Sequence, residues 1–144
     1  MGDEDHYGKL EHLYLSAPVN AYYAPSIRVS EGRAEVAIPV RRDLHHAAHA
    51  VHGVAYFKVL DDAAVFAANS LVEDVFVLTV PFNVYFTRPV TEGEMRATGR
   101  VVHQSRRLLI AESNVVDSVG REIGRGSGAF MPSRIPLGPD VGYE

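Results

Sequence analysis

The sequence has no cysteine and no apolar stretch long enough to cross a membrane. Without cysteine, a chain of 144 residues cannot form disulfides, bind a metal through thiolates or use a cysteine nucleophile. Lys58, Asp61 and Asp62 interrupt the most apolar stretch before it reaches the roughly 18 residues of a membrane span. The acidic start, Met-Gly-Asp-Glu-Asp, is unlike a signal or transit peptide. We therefore expect a cytoplasmic protein with no membrane partner.

Lysine is scarce among the basic residues, which are almost all arginine. Residues 88–134 contain eight arginines and five acidic residues, which gives this region a net charge of +3. Arginine suits forked contacts with phosphate, so this region is either a solvated sheet face or a site for a phosphorylated ligand. The charge density is low and no nucleic-acid-binding motif is present, so a nucleic-acid partner is not expected.

No repeat, linker or low-complexity segment divides the chain, so we expect a single domain over residues 1–144. A short amphipathic helix is predicted over residues 4–16 and a long helix over 53–71, preceded by a polar, histidine-rich loop. The segment 132–144 contains three prolines and two glycines and is predicted to be irregular. Six segments have the alternating pattern of strands: 26–29, 33–40, 75–88, 94–104, 107–118 and 121–131.

The long helix is apolar almost all the way round, so it must be wrapped by other structure. Two strands before it and four after it indicate an α+β domain in which an antiparallel sheet curls around this helix. Pro81 lies inside the segment 75–88 and cannot donate a ladder hydrogen bond, so it predicts an edge strand or a bulge there.

Two acidic residues lie in the middle of this apolar helix, where an ionised group is costly unless it is paired or used. Asp62 follows Lys58 by four residues, which is the spacing of a helical ion pair, so we assign Asp62 to structure. Asp61 then remains as a candidate general base or nucleophile.

The start of the long helix is a candidate site for a developing negative charge. Its first amides have no partner within the helix, and its dipole adds a partial positive charge. Gly53 has no Cβ, so a ligand can approach its amide closely. The alternative is that Gly53 serves only the turn into the helix. Gly53 and Asp61 lie about 12 Å apart along the axis, so one straight helix cannot bring both to the same small substrate.

These features resemble the PaaI-type branch of the hotdog-fold acyl-CoA thioesterases. The resemblance covers about residues 40–131 and implies the hotdog fold, an antiparallel β-sheet wrapped around a long central helix. It is carried by three groups of residues in order: His52-Gly53 with Asp61; Leu78-Thr79-Val80, Asn83 and Thr87-Arg88-Pro89; and Gly93, Ser105-Arg106-Arg107, Ala111-Glu112, Asp117-Ser118 and Ala129-Phe130.

The resemblance implies hydrolysis of a medium-chain or aromatic acyl-CoA to the free acid and CoA. Asp61 would activate water or attack, and Thr79 would hold the water or the carboxylate. His52 and Gly53 at the helix start would polarise the carbonyl. No cofactor is implied beyond the CoA of the substrate. The family also implies a homodimer or a dimer of dimers, in which the strand after the helix pairs across the two-fold axis and places Gly53 of one chain near Asp61 of the other.

Two residues depart from the family pattern. His46 replaces the usual asparagine or glutamine. Its neutral imidazole can also donate one hydrogen bond, but protonation of the ring would make activity sensitive to pH near neutrality. Val54 replaces the second glycine of the usual His-Gly-Gly and would narrow the acyl pocket. These departures leave open an alternative, a non-catalytic hotdog protein that binds an acyl or aromatic ligand. Candidate contacts for the CoA phosphates are Arg88, Arg106 and Arg107.

Two further motifs do not predict a metal site or a second active site, and the histidine cluster is assigned to a polar loop that lines the mouth of the proposed site. Four histidines, at positions 45, 46, 49 and 52, have spacings that could converge on a cation, but no carboxylate completes the set, so no metal is expected. The segment Gly124-Arg-Gly-Ser-Gly128 is not followed by a helix and is not a serine elbow, so it matches neither a phosphate loop nor a serine hydrolase.

Overall fold

The computed structural model describes residues 3–144, and the first two residues of the acidic N-terminal segment lie outside it. Within this part of the chain, no helix is both long and apolar enough to span a membrane. The helices and strands follow in this order: α1 (Asp3–Ser16), α2 (Pro18–Tyr23), β1 (Ser26–Ser30), β2 (Arg33–Pro39), α3 (Gly53–Asn69), β3 (Val75–Phe86), β4 (Glu94–Gln104), β5 (Leu109–Val116) and β6 (Glu122–Pro136).

The six strands form one antiparallel sheet in the order β1-β2-β4-β5-β6-β3. Helix α3 packs against the sheet and contacts all six strands, β1 the least. The predicted α+β architecture, an antiparallel sheet around a long central helix, is confirmed.

Small residues allow α3 to lie directly on the sheet. A Cβ atom on Gly99 of β4 would be 2.3 Å from the carbonyl oxygen of Ala63, so only glycine fits where strand and helix backbones meet. Three alanines of α3 are fully buried at or beside this contact: Ala63, Ala64 and Ala67. Helix α3 is surrounded by other elements, and this is why it is apolar on nearly every side. The close approach fixes the height of α3, and therefore of its acidic residues, above the sheet.

Strand β3 is the edge of the sheet next to β6, and its other side has no neighbouring strand in the described chain. The register of β3 against β6 shifts between Thr79 and Phe82, which places a bulge around Pro81. The prediction from Pro81 is therefore confirmed in both forms, an edge strand and a bulge. Large apolar side chains on β3 are exposed in the single chain: Leu78, Val80, Tyr85 and Phe86.

Most element boundaries lie within two residues of the predictions, and the larger differences are at β6 and in one helix that was not predicted. Helix α3 ends at Asn69 rather than at residue 71. Strand β6 continues to Pro136, so the prediction that the chain is irregular from residue 132 was wrong for residues 132–136. Long-range pairing with β3 keeps that proline-containing stretch extended. Helix α2 was not predicted. Its signal was Pro18 at the first turn, where a proline is pre-organised for a helix.

The C-terminal tail is held against α1 by two histidines. The buried His6 donates from Nε2 to the carbonyl oxygen of Asn69, 2.9 Å away, and contacts the Tyr143 hydroxyl with Nδ1 at 2.8 Å. His12 Nδ1 lies 2.8 Å from the carbonyl oxygen of Gly142. These contacts place the tail beside the end of α1, where it becomes part of the surroundings of α3.

Candidate functional site

Asp61 and Thr79 meet at the side of α3 that faces the edge strand. The Thr79 hydroxyl donates to Asp61 Oδ1 over 2.8 Å, which links α3 to β3 immediately before the bulge at Pro81. Both side chains are half-buried and line a cavity of about 240 Å³. The structure therefore brings together two of the residues selected from the sequence.

The carboxyl group of Asp62 has different partners from that of Asp61. It accepts hydrogen bonds from Lys58 Nζ and from the Tyr14 hydroxyl, the latter at 2.6 Å. The side chains of Lys58 and Asp62 are only 13% and 15% exposed, so this ion pair is shielded from water. The predicted contact between Lys58 and Asp62 is present, and Tyr14 extends it to α1. No specific signal in the sequence points to the part played by Tyr14.

The two carboxyl groups have different electrostatic surroundings. Burial raises the pKa of Asp61 from 3.8 to about 6, and the hydrogen bond from Thr79 opposes this shift only in part. Burial also raises the pKa of Asp62, while Lys58 and Tyr14 act in the opposite direction. The nearby charge of Asp62 adds to the upward shift at Asp61. A carboxyl group with a pKa near 6 is well placed to accept a proton near neutral pH.

The start of α3 is capped by His52. Its Nδ1 accepts a hydrogen bond from the backbone N–H of Val54 over 2.9 Å, so the amide of Val54 is used within the helix cap. Within the described residues, the N–H of Gly53 has no acceptor, as expected for the first residue of a helix. Of the amides of Gly53 and Val54, that of Gly53 is thus the one left for a ligand.

Gly53 also satisfies a steric demand. A Cβ atom at this position would lie 3.0 Å from Cζ of Phe86, on the exposed end of β3. The ring of Phe86 packs edge-on against Tyr56, whose hydroxyl donates to the carbonyl oxygen of Arg88 over 2.7 Å. Sequence reasoning did not identify Tyr56 or Phe86 as part of this region, because aromatic residues in a helix and a strand are ordinarily core residues.

His46 lies beside His52, with ring centroids 6.5 Å apart. Its Nδ1 accepts a hydrogen bond from the backbone N–H of Ala48 over 3.0 Å. Since both imidazoles accept at Nδ1, their neutral forms must carry the proton on Nε2. Each ring therefore has an N–H donor that its contacts with the loop backbone leave unused.

A second cavity, of about 420 Å³, lies at this end of the helix. His46, Gly53 and Arg88 line it together with Tyr56 and Phe86. The cavity is separate from the one at Asp61, which has no lining residue in common with it. The chain thus carries two half-sites on one helix, a carboxylate with a hydroxyl and a free amide with imidazole donors.

The other predicted binding residues are less closely grouped. Val54 is exposed at the helix start. Arg106 lines a cavity with Leu71 and Val72, beyond the opposite end of α3, and Arg107 follows it in the exposed turn between β4 and β5. A single chain therefore brings only Arg88 near Gly53, and phosphate contacts by the three arginines stay a prediction. Among residues 3–144, no group of three or more histidine or acidic residues is arranged to hold a metal ion.

A family model and several solved structures match this chain. The model of the thioesterase superfamily matches residues 48–123, which include Gly53, Asp61 and Thr79 but not His46. Comparison with curated protein sequences gives no match.

Three solved structures illustrate the structural matches. A thioesterase family protein from Silicibacter pomeroyi is 30% identical, with 90% of this chain and 97% of that chain covered and a TM-score of 0.81. A conserved protein from Pseudomonas aeruginosa is 26% identical, with 83% and 96% covered and a TM-score of 0.77. The Escherichia coli PaaI protein, from the phenylacetic acid degradation operon, is 18% identical, with 93% and 97% covered and a TM-score of 0.84, which indicates a shared fold.

Proposed function

Because this chain belongs to the thioesterase superfamily, as the match over residues 48–123 and the resemblance to PaaI-type hotdog proteins show, we propose that it hydrolyses an acyl-CoA to the free acid and CoA. The observation that carries the proposal is the pair of half-sites on α3. One offers a half-buried carboxyl group with a raised pKa, and the other offers an unpaired helix N-terminal amide.

The chemistry of each half-site suits one part of thioester hydrolysis. Asp61, held by Thr79, would take a proton from water or attack the thioester carbonyl itself. The N–H of Gly53 would stabilise the developing oxyanion, aided by the partial positive charge at the helix start. With Asp61 as base, hydroxide from water adds to the carbonyl carbon, the carbon–sulfur bond breaks, and the proton held by Asp61 passes to the CoA thiolate as the acid forms. With Asp61 as nucleophile, the same bond breaks to leave an anhydride on Asp61, and water then hydrolyses that anhydride to the acid, supplying the proton for the thiolate. His46 lines the same cavity as Gly53, and its Nε2–H would donate to the substrate there.

A complete site needs two chains in this proposal. Gly53 and Asp61 are separated by about 12 Å along α3, whereas both groups must lie within about 3 Å of the reacting atoms. A two-fold axis beside β3 would bring the half-sites of two antiparallel helices together. The free edge of β3 and its exposed Val80 and Tyr85 support such pairing, since long apolar edges are otherwise aggregation-prone. In this proposal the protein forms a homodimer or a dimer of dimers and is located in the cytoplasm.

The test is release of free thiol from a panel of saturated and aromatic acyl-CoAs. Asp61→Asn retains the shape of the side chain and its contact with Thr79 but removes the charge, so the rate should fall by about 10²–10⁴. Asp62→Asn is the matched control at the adjacent position, and the folded fraction of that variant should retain most of the activity. Equal rates for wild type and Asp61→Asn would contradict the assignment.

One observation favours a second candidate, a protein that binds an acyl or aromatic ligand without hydrolysing it. His52 occupies the amide of Val54, so only one of the two amides at the helix start remains for an oxyanion. A binding protein would retain acyl-CoA in calorimetric titrations and release no thiol from any member of the panel. Turnover that depends on Asp61 would exclude this candidate.

A further inference from the structure

Two largely apolar cavities lie next to each other on the side of α3 that carries Asp61, and they share part of their lining. The cavity at Asp61 has a volume of about 240 Å³, and the next, between α1, the end of β6 and the C-terminal tail, has about 380 Å³. Leu13, Ala17 and Phe76 line both of them. We refer to the pair as the hydrocarbon groove. Together the two volumes fall within the roughly 300–1,000 Å³ that small-molecule sites occupy.

The polar groups of the groove are concentrated at its Asp61 end. There, Thr79 is bonded to Asp61, and Lys58 and Tyr14 are bonded to Asp62. Asn20 donates to the backbone of α1, and its amide oxygen is buried without a partner among the described residues. At the far end the only polar side chains are the exposed Ser16 and Asp140. The remaining lining is apolar, so the groove offers burial to a hydrocarbon rather than hydrogen bonds.

The end of α1, the junction residue Ala17 and the start of α2, residues 13–20, form one wall of the groove, and we call this segment the elbow. It is fixed to α3 next to Asp61. Tyr14 donates to Asp62, the Asn20 amide donates to the carbonyl oxygen of Tyr14 over 2.7 Å, and Lys58 lies 5.1 Å from the Tyr14 ring centre. The position of the elbow is therefore set by the residue adjacent to the proposed catalytic carboxylate.

Ala17 occupies the junction of the two cavities. Its backbone is extended, and it is the residue immediately before α2. Because its side chain is a single methyl group, it takes up little of the space between the two cavities. A larger side chain here would reach into the junction and separate the far cavity from Asp61.

We propose that the two cavities of the hydrocarbon groove together hold the acyl chain of the thioester, that this chain is aliphatic, and that Ala17 sets the length accepted. This inference rests on the proposed thioesterase function. An aryl group would fill only the first cavity, whereas a chain that continues past Ala17 gains burial against Ile135 and Val141. Each buried methylene contributes about 0.8 kcal/mol, which is about fourfold in binding, until the groove is full.

The experiment measures two quantities for butanoyl-, octanoyl-, dodecanoyl- and phenylacetyl-CoA, using the full chain. The first is kcat/KM from thiol release, and the second is Kd from titration calorimetry. Ala17→Leu narrows the junction. Ala21→Leu makes the same change at an exposed position of α2 and serves as the matched control. Ile135→Asp places a charge in the far cavity at a side chain that is 43% exposed, so this variant should fold even if Ala17→Leu does not.

For the wild type we expect kcat/KM and affinity to rise from butanoyl to dodecanoyl, with phenylacetyl-CoA below octanoyl-CoA. In Ala17→Leu and in Ile135→Asp the ratio of dodecanoyl to butanoyl should fall about tenfold or more, and in Ala21→Leu it should not change. Turnover with unchanged ratios, or a preference for the aryl substrate, would overturn the groove while leaving the thioesterase intact. Length-dependent binding without turnover would support the groove and refute the proposed hydrolysis.

Discussion

Replacing Asp61 with asparagine should stabilise the folded protein while removing its activity. The folded chain holds Asp61 at a pKa of about 6 instead of 3.8, because burial disfavours the carboxylate. One pKa unit corresponds to 1.36 kcal/mol, so keeping this group ionised near pH 8 costs about 3 kcal/mol of folding free energy. The neutral amide of the asparagine avoids that cost, and its carbonyl oxygen can still accept the hydrogen bond from Thr79.

The stability gained by Asp61→Asn should increase with pH. The folded state binds the proton of Asp61 more tightly than the unfolded chain does, so this group stabilises the wild type fully below pH 3.8. Its contribution is lost as pH rises through about 6. Asp61→Asn should therefore match the wild type near pH 3.5 and exceed it by up to about 3 kcal/mol at pH 8.

Urea unfolding of both proteins at several pH values measures this difference from the midpoints. Asp62→Asn is the control, and its expected change at pH 8 has the opposite sign. Burial raises the pKa of Asp62 too, but this variant also leaves the shielded Lys58 without its counter-charge and weakens the contact with Tyr14. A buried charge that loses its partner is strongly destabilising, so Asp62→Asn should lose on the order of 2 kcal/mol. A destabilised Asp61→Asn protein at pH 8, or a gain that is the same at every pH, would refute the reasoning from burial.

Three further predictions concern the reaction. The wild-type kcat/KM should fall about tenfold per unit as pH drops below about 6, because protonated Asp61 cannot act as base or nucleophile; a flat profile from pH 5 to pH 8 would contradict this role. Gly53→Pro removes the N–H at the first helical position, where proline fits, and should lower kcat about 10²–10³-fold. Gly53→Ala keeps the N–H and needs only a shift of Phe86, so its kcat should fall far less. Mixing Asp61→Asn with Gly53→Pro subunits should restore about a quarter of wild-type activity if a dimer shares its sites, and no recovery despite proven subunit exchange would mean that each site is built within one chain.

The sequence was sufficient for those features that follow from a local pattern. The period of the strands and the apolar surface of α3 identified the α+β architecture, since buried elements must cover their apolar faces. Pro81 identified an edge and a bulge because it lacks a ladder donor. The spacing of Lys58 and Asp62 identified their pairing, because residues four apart are neighbours on any α-helix.

Other features required the tertiary structure because they join distant parts of the chain. The partner of Asp62 on α1, Tyr14, lies 48 residues away, and no local pattern links the two. The capture of the Val54 amide by His52 depended on a side-chain orientation that spacing does not specify. The hydrocarbon groove arises only where α1, α3, β3 and the tail converge.

The sequence by itself determined which chemical groups the protein carries and on which elements they lie. A carboxylate in an apolar helix and a glycine at the start of that helix are fixed by residue order, because helix geometry is regular. Tertiary structure alone decided the burial that raises the pKa of Asp61, the hydroxyl of Thr79 that reaches it, and the shape of the space beside it. Desolvation and cavity shape depend on every atom that packs nearby, and those atoms come from segments that only folding brings together.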